Sequence, residues 1–144
     1  MKKYKVGYVQ GSFDMFHIGH LNLIKNAKSI CDYLIVGVNS DELMKSFKHK
    51  TPIIPEDERL EIIEAIRYVD EAHIVTNRDK LEALDKFHYQ ALIMGDDWKG
   101  TDFYKKVEQQ LKEKNAEVVY FPYTKTTSST LLRDAICERV NEKK

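Results

Sequence analysis

Two histidines carry the clearest chemical signal in this chain. His17 and His20 lie within the run Gly11-Ser12-Phe13-Asp14-Met15-Phe16-His17-Ile18-Gly19-His20. The segment Lys5-Val6-Gly7-Tyr8-Val9 before it reads as a buried strand, and Leu21, Leu23, Ile24 and Ala27 after it repeat at helical spacing. The histidines therefore fall at a strand-to-helix junction and share one face. A helix N-terminus offers unpaired N–H groups and about half a positive charge, which suits a phosphate. Gly11 and Gly19 would remove side chains where a ligand must approach. A metal site with Asp14 is the competing chemistry, but no further His/Cys cluster at zinc-like spacing follows. Histidines without function are the other alternative. Glycine before and between, strand before and helix after favour a triphosphate-handling turn.

The positions of these groups depend on alternating strand and helix patterns, with no internal repeat, low-complexity tract or linker. Strands are expected at Lys5 to Val9, Tyr33 to Val38, Ala72 to Val75, Ala91 to Met94 and Val118 to Phe121. Helices should start near Gly19, Ser40-Asp41, Pro55-Glu56-Asp57, Arg78-Asp79, Thr101-Asp102 and Ser128, several with acidic or hydroxyl caps. This order implies a single α/β domain over 1–144, a doubly wound five-stranded parallel sheet of Rossmann-like type. Its ligand crevice would lie at the carboxyl ends of the strands, with the first strand at the switch point.

Composition narrows the partners. The 144 residues carry 23 Lys+Arg against 23 Asp+Glu, a formal net charge of zero. That balance supports neither a general nucleic-acid surface nor an anionic-membrane surface, so phosphate handling must be local. No stretch approaches the roughly 20 apolar residues of a membrane span, and Met1-Lys2-Lys3 leads into a strand rather than a signal-peptide core, so a cytoplasmic location is expected. Cys31 and Cys137 lie far apart in apolar-periodic contexts and are expected as buried, reduced thiols.

The GxFDxxHxGH form of the histidine run resembles the HxGH nucleotidyltransferase superfamily, specifically its cytidylyltransferase branch. Arg67-Tyr68-Val69-Asp70-Glu71 and Met94-Gly95-Asp96-Asp97-Trp98-Lys99-Gly100 are similar to blocks of bacterial glycerol-3-phosphate cytidylyltransferases in the same order. The likeness runs from about Lys5 to Ala135. It implies an enzyme that transfers CMP from CTP to a small phosphorylated alcohol with release of pyrophosphate, using Mg²⁺ and acting as a homodimer. Such a reaction needs alignment and charge stabilisation rather than a covalent nucleophile.

By the same resemblance His17 and His20 contact the triphosphate, while Gly11, Ser12, Phe13, Asp14 and Gly19 form the turn around it, with Ser12 and Phe13 offering backbone N–H groups. Asp14 either helps hold Mg²⁺ or orients the turn as an Asx cap. The basic stretch Met44 to Pro52 reads as a solvated loop or as the family's lysine loop, which reaches over the triphosphate; Lys45 is favoured over Lys48. Arg59 matches a family arginine on the next helix, as a ligand contact or a structural ion pair. Asp96 and Asp97, at a strand's carboxyl end, suit nucleotide contact, Asp96 ahead of Asp97, or else cap a helix. Trp98 is a core anchor or part of the wall around nucleotide or acceptor.

The chain departs from the family near its end. Where the branch carries an R-T-x-G-(I/V)-S-T-T run, this sequence reads Tyr123-Thr124-Lys125-Thr126-Thr127-Ser128-Ser129-Thr130. The arginine and glycine are replaced by Tyr123 and Thr126, removing a planar cation and a flexible backbone position. Ser128-Ser129-Thr130-Leu131-Leu132-Arg133 instead resembles the SSTxxR ending of adenylyltransferases in the wider superfamily. Thr124, Ser128, Ser129 and Thr130 are then nucleotide contacts and Arg133 the replacement phosphate cation, with Lys125 a second candidate. The alternative is an ordinary N-cap followed by a solvated arginine. ATP as donor stays open beside CTP, and phosphocholine, phosphoethanolamine or a sugar phosphate beside glycerol 3-phosphate as acceptor. Tyr123 would suit a quaternary ammonium through cation–π attraction. A non-catalytic nucleotide-binding module is the alternative of another class, and nucleic-acid binding lacks a basic stripe.

Overall fold

A computed structural model describes residues 2–122 and 127–142. Its centre is a five-stranded parallel sheet of β1 (Tyr4–Gly11), β2 (Cys31–Asn39), β3 (Glu71–Val75), β4 (Ala91–Gly95) and β5 (Glu117–Phe121), in the order β3-β2-β1-β4-β5. The helices are α1 (Ile18–Ile30), α2 (Asp41–Lys48), α3 (Glu56–Glu64), α4 (Lys80–Phe87), α5 (Asp102–Glu113) and α6 (Ser129–Glu142). All six begin within two residues of the starts expected from their caps.

The alternation of side chains along each strand sorts the core into two layers. Val9, Leu34, Val36, Val38, Ala91 and Ile93 face one way and pack on Ile24 and Ala27 of α1 and Ile63 of α3. Tyr8, Ile35 and Leu92 face the other way, onto Ala83 and Phe87 of α4 and Tyr104, Val107 and Leu111 of α5. Both faces are covered, as a doubly wound parallel sheet requires. The chain winds outward from β1 through β2 to β3 and then returns to place β4 on the other side of β1. The switch point is thus at β1, and the crevice at its carboxyl end is where the histidine run emerges.

The last helix behaves differently. None of its residues is buried, which corrects the expectation for the thiols: Cys31 is buried, whereas Cys137 on α6 is exposed, and both are free. No helix among the described residues is long and apolar enough to cross a membrane.

Candidate active site

The HxGH run folds as a capping box built from histidines. His17 is the N-cap of α1 with an extended backbone, and its Nδ1 accepts from the Gly19 amide at 3.0 Å. His20, three residues on, accepts from the His17 amide through its own Nδ1 at 3.2 Å. These are the reciprocal bonds that a Ser/Thr and Glu pair makes in an ordinary capping box. The consequence is chemical, because an Nδ1 that accepts a backbone N–H carries no proton, so each neutral ring holds its proton on Nε2. Burial, aided by His17 alongside and opposed by Asp14, lowers the His20 pKa to about 4. Burial also lowers that of His17. At neutral pH the pair is therefore two uncharged Nε2–H donors, stacked with ring centroids 3.9 Å apart.

Gly19 makes room for the histidine. A Cβ there would lie 2.8 Å from His17 Cε1 and 3.0 Å from its Nδ1, inside van der Waals contact. A side chain would push the imidazole off the amide that fixes its tautomer.

The turn between β1 and α1 is strained and held from three sides. Phe13 and Met15 adopt left-handed backbone, φ 53 and 49, unusual for bulky residues and costing on the order of 1 kcal/mol or more each. The Asp14 carboxylate, 2 % exposed, accepts from the amides of Ile53 and Ile54, both at 2.9 Å, and from Arg133 at 2.6 Å. Burial pushes its pKa up, but those bonds outweigh it and hold the carboxyl below its ordinary value. The Ser129 hydroxyl donates to the Asp14 carbonyl at 2.8 Å. Of the two sequence alternatives for Asp14, the contacts are those of a turn-orienting residue. Both carboxylate oxygens are occupied by protein donors, and no group of three or more acidic, His or Cys residues among the described ones could hold a metal. Asp14 thus orients the turn, and it also lines the principal cleft described below.

Arg59 is likewise engaged within the protein. It is 1 % exposed and lines neither the principal cleft nor the compartment beside it. Its guanidinium donates to Ile54 O (2.8 Å), Ser12 O (2.6 Å), Asn39 O (2.7 Å) and Asp41 Oδ1 (2.6 Å). It clamps the ends of β1 and β2 to α3 and supports the site from below.

The principal cleft, about 450 Å³, opens at the carboxyl ends of β1 and β4. Ser12, His17, Gly19 and His20 line one side, and Ser128, Ser129, Thr130 and Arg133 line another. Ser128 also caps α6, its hydroxyl accepting from the Leu131 amide at 3.1 Å. Arg133 is not a solvated helix residue, because it faces the cleft while paired to Asp14. Tyr123 and Thr124, with Lys125 and Thr126, lie outside the described residues.

Three expected contacts shift by a short distance. Lys45 does not line the cleft, whereas Lys48 and Lys50 do. The reason is helical: the basic stretch begins inside α2, and Lys48 lies one turn after Met44 on the cleft face, with Lys45 pointing elsewhere. Asp97 lines the cleft and Asp96 does not. Trp98 is 45 % exposed rather than a core anchor, and its ring lies 5.8 Å from the Lys48 ammonium. The block Arg67 to Glu71 is structural, at the opposite end of the sheet: Asp70 pairs with Lys28 at 2.5 Å and Glu71 with His73 at 2.7 Å.

A second compartment of about 270 Å³ continues from the first, sharing Ser12, His20, Lys48, Gly95 and Asp97. Gly11 and Phe13 contribute to its wall, together with Gln10, Arg78, Lys80 and Trp98. Asn22, Lys50, Arg78 and Lys80 were not singled out by sequence reasoning. For Lys80 a signal existed: it occupies the buried face of α4 with Ala83 and Phe87, a position where a lysine is out of place unless it has a task.

A doubly wound sheet with paired neutral imidazoles at its switch point, beside a cleft lined by cations and helix N-termini, defines a nucleotidyltransferase. The chain belongs to the cytidylyltransferase-like family, whose sequence profile matches residues 8–135. It is 37% identical over 128 residues to the glycerol-3-phosphate cytidylyltransferase of Bacillus subtilis, covering 88% of this chain and 92% of that protein. It is also 36% identical over 127 residues to the FAD synthase of Thermococcus kodakarensis, covering 85% and 82%. A lipopolysaccharide core biosynthesis protein from Thermoplasma volcanium shares the fold, with TM-score 0.71, 23% identity, and 86% of this chain and 99% of that one covered.

Proposed function

We propose that this enzyme transfers CMP from CTP to a small phosphorylated alcohol, glycerol 3-phosphate first among them, giving a CDP-alcohol and pyrophosphate. The observation that carries this reading is the pair of Nε2–H donors, His17 on the larger of two adjoining compartments and His20 on both. The larger compartment suits the nucleotide and the smaller one the acceptor. An acceptor phosphate oxygen attacks the α-phosphorus of CTP; that P–O bond forms as the bond to the β-phosphate oxygen breaks, and pyrophosphate leaves. No protein nucleophile takes part and no proton need be removed from an ionised phosphate. His17 and His20 donate to the oxygens on which charge develops, and as uncharged rings they keep both protons available for donation. Lys48 and Lys50 face the cleft as counter-charges to the departing phosphates.

Mg²⁺ belongs to this proposal as an ion carried on the triphosphate, since the Asp14 carboxylate is already engaged by Ile53, Ile54 and Arg133 in orienting the turn. Pairing of two copies belongs to it by family resemblance, supported by the exposed Leu131, Ile136 and Val140 on α6. A second reading, adenylyl transfer from ATP, is supported by the FAD synthase relative and by the SSTxxR ending. A pyrophosphate-release screen crossing CTP and ATP with phospho-alcohols and phospho-sugars in Mg²⁺ decides between them. Turnover with CTP and glycerol 3-phosphate is expected, and turnover with ATP alone would refute cytidylyl transfer.

A further inference from the structure

Gln10, next to last in β1, lines the smaller compartment, yet its amide is spent on the protein itself. Its Oε1 accepts from the Tyr8 hydroxyl at 2.8 Å, while its Nε2 donates to Asn39 Oδ1 at 2.9 Å and to the Asn77 carbonyl at 3.1 Å. Both amide protons and the amide oxygen are thus engaged. The two acceptors lead to different walls of the compartment. Asn39 ends β2 and passes the contact to α2, its Nδ2 lying 3.5 Å from Met44 Sδ. Asn77 belongs to the loop between β3 and α4, and its side chain accepts at 2.9 Å from the amide of Asp79, the N-cap of α4.

The amide can point only one way. The Asn77 carbonyl can only accept, so Nε2 must face it and Oε1 must face Tyr8, which then donates. Burial above all, with Tyr89 alongside, pushes the Tyr8 phenol above its ordinary value and keeps that proton in place. The ring is fully buried and stacks on Phe87 and Tyr89, each with its centroid 5.2 Å away. Gly37 leaves the space for the hydroxyl, since a Cβ there would lie 2.3 Å from Tyr8 Oη. Behind the amide lies a cavity of about 60 Å³, with Tyr8, Gln10, Asn77 and Asp79 in its wall. A Gln10 side chain that lost its anchor has room to swing into it.

We propose that Tyr8 and Gln10 are positioning residues, which together set the spacing between α2 and the β3–α4 loop and so the width of the smaller compartment. Arg78 spans that width, its guanidinium carbon 4.5 Å from the Phe47 ring of α2. α2 is also held through Arg59 on the Asn39 carbonyl and through the Ser40 amide on the Val75 carbonyl. The loop is therefore the side that moves when the Gln10 contacts fail. That an acceptor fills the compartment rests on the nucleotidyl-transfer reading; the spacing itself does not.

The test compares the full chain with Tyr8→Phe and Gln10→Glu. The first keeps the stacked ring and removes only the hydroxyl. The second keeps the oxygen that Tyr8 needs but turns an oxygen, in place of two donated protons, toward Asn39 and Asn77. Amide hydrogen exchange is followed by mass spectrometry over 76–83, where the amides of Asp79, Leu81, Glu82 and Ala83 are hydrogen-bonded. Exchange there should quicken at least about fivefold in both variants, while the Gly19 and Leu21 amides at the start of α1 keep their wild-type rates. In Tyr8→Phe the glycerol 3-phosphate KM should rise roughly three- to tenfold, the equivalent of one lost hydrogen bond, with kcat and the CTP KM within about twofold. Tyr8→Phe keeps the test valid if the half-buried charge of Gln10→Glu prevents folding, which circular dichroism reports. Wild-type exchange over 76–83 in Tyr8→Phe would overturn the proposal, as would a CTP KM raised as much as that of the acceptor. If no acceptor turns over with CTP, the nucleotidyl-transfer reading fails, while faster exchange confined to the loop still supports the positioning role.

Discussion

Replacing Arg59 with Met keeps approximate volume and removes a charge that the fold is built around. The guanidinium makes four hydrogen bonds of 2.6–2.8 Å, to three carbonyls and the Asp41 carboxylate. Its side chain is fully buried, and that of Asp41 is 32% exposed. Breaking a buried, hydrogen-bonded pair from one side costs about 3–5 kcal/mol, because the partners stay in place without donors. Counting bonds gives the same order, at roughly 1 kcal/mol each for three neutral acceptors and somewhat more for the charged one. For a domain of this size each kcal/mol is worth roughly 3–4 °C, so the melting midpoint should fall by about 10–20 °C. That is a large share of a total stability on the order of 5–15 kcal/mol. Asp41→Asn, which keeps an oxygen for Arg59 but removes its counter-charge at a 32% exposed position, should cost less, about 1–2 kcal/mol. Thermal and urea melts of both variants, with the wild type alongside, measure this. A midpoint of Arg59→Met within about 2 °C of wild type, combined with a tenfold weaker CTP affinity, would refute the reasoning and return Arg59 to the ligand.

The lowered His20 pKa of about 4, against 6.5 for the free side chain, means that the unfolded chain binds a proton between these values that the native protein does not. Stability should therefore fall as pH drops from 6.5 toward 4, by at most about 3 kcal/mol, and stay level above 6.5 as far as this group is concerned; melts of His20→Asn across that window should lose most of the slope. Lys48→Ala should raise the CTP KM roughly tenfold or more and Lys45→Ala less than about twofold, read from steady-state kinetics; equal effects would contradict the helical-face argument. Asp14→Asn should lower the melting midpoint and turnover while leaving the Mg²⁺ concentration for half-maximal rate unchanged. A marked rise in that concentration would make Asp14 a metal ligand after all.

The elements were legible because their signals are local. Spacing of apolar residues in β1 and α1, and caps such as Ser40 and Thr101, involve neighbours a few positions apart, and their helices begin where those caps place them. The histidine turn was legible for the same reason: Gly19 and His20 act on His17 within one helical turn. The charged residues were not. Lys45 and Lys48 differ only in which face of α2 meets the cleft, and Asp96 and Asp97 by one step of a tight turn. Lys80 could have been noticed as a lysine at an apolar position of α4, but its neighbour Arg78 sits in a loop with no periodicity to betray it.

By itself the sequence determined the alternating α/β order, the histidine junction between the first strand and the first helix, and the family to which the chain belongs. Each is written in short-range spacing or in a contiguous motif. Only the tertiary structure decided what the ions do: Asp14 meets Ile53, Ile54 and Arg133, and Arg59 meets Ser12 and Asn39. Those encounters join segments up to 119 positions apart in the chain. A charge acquires its role from the dielectric and the donors around it, and these are assembled only when distant strands and helices pack.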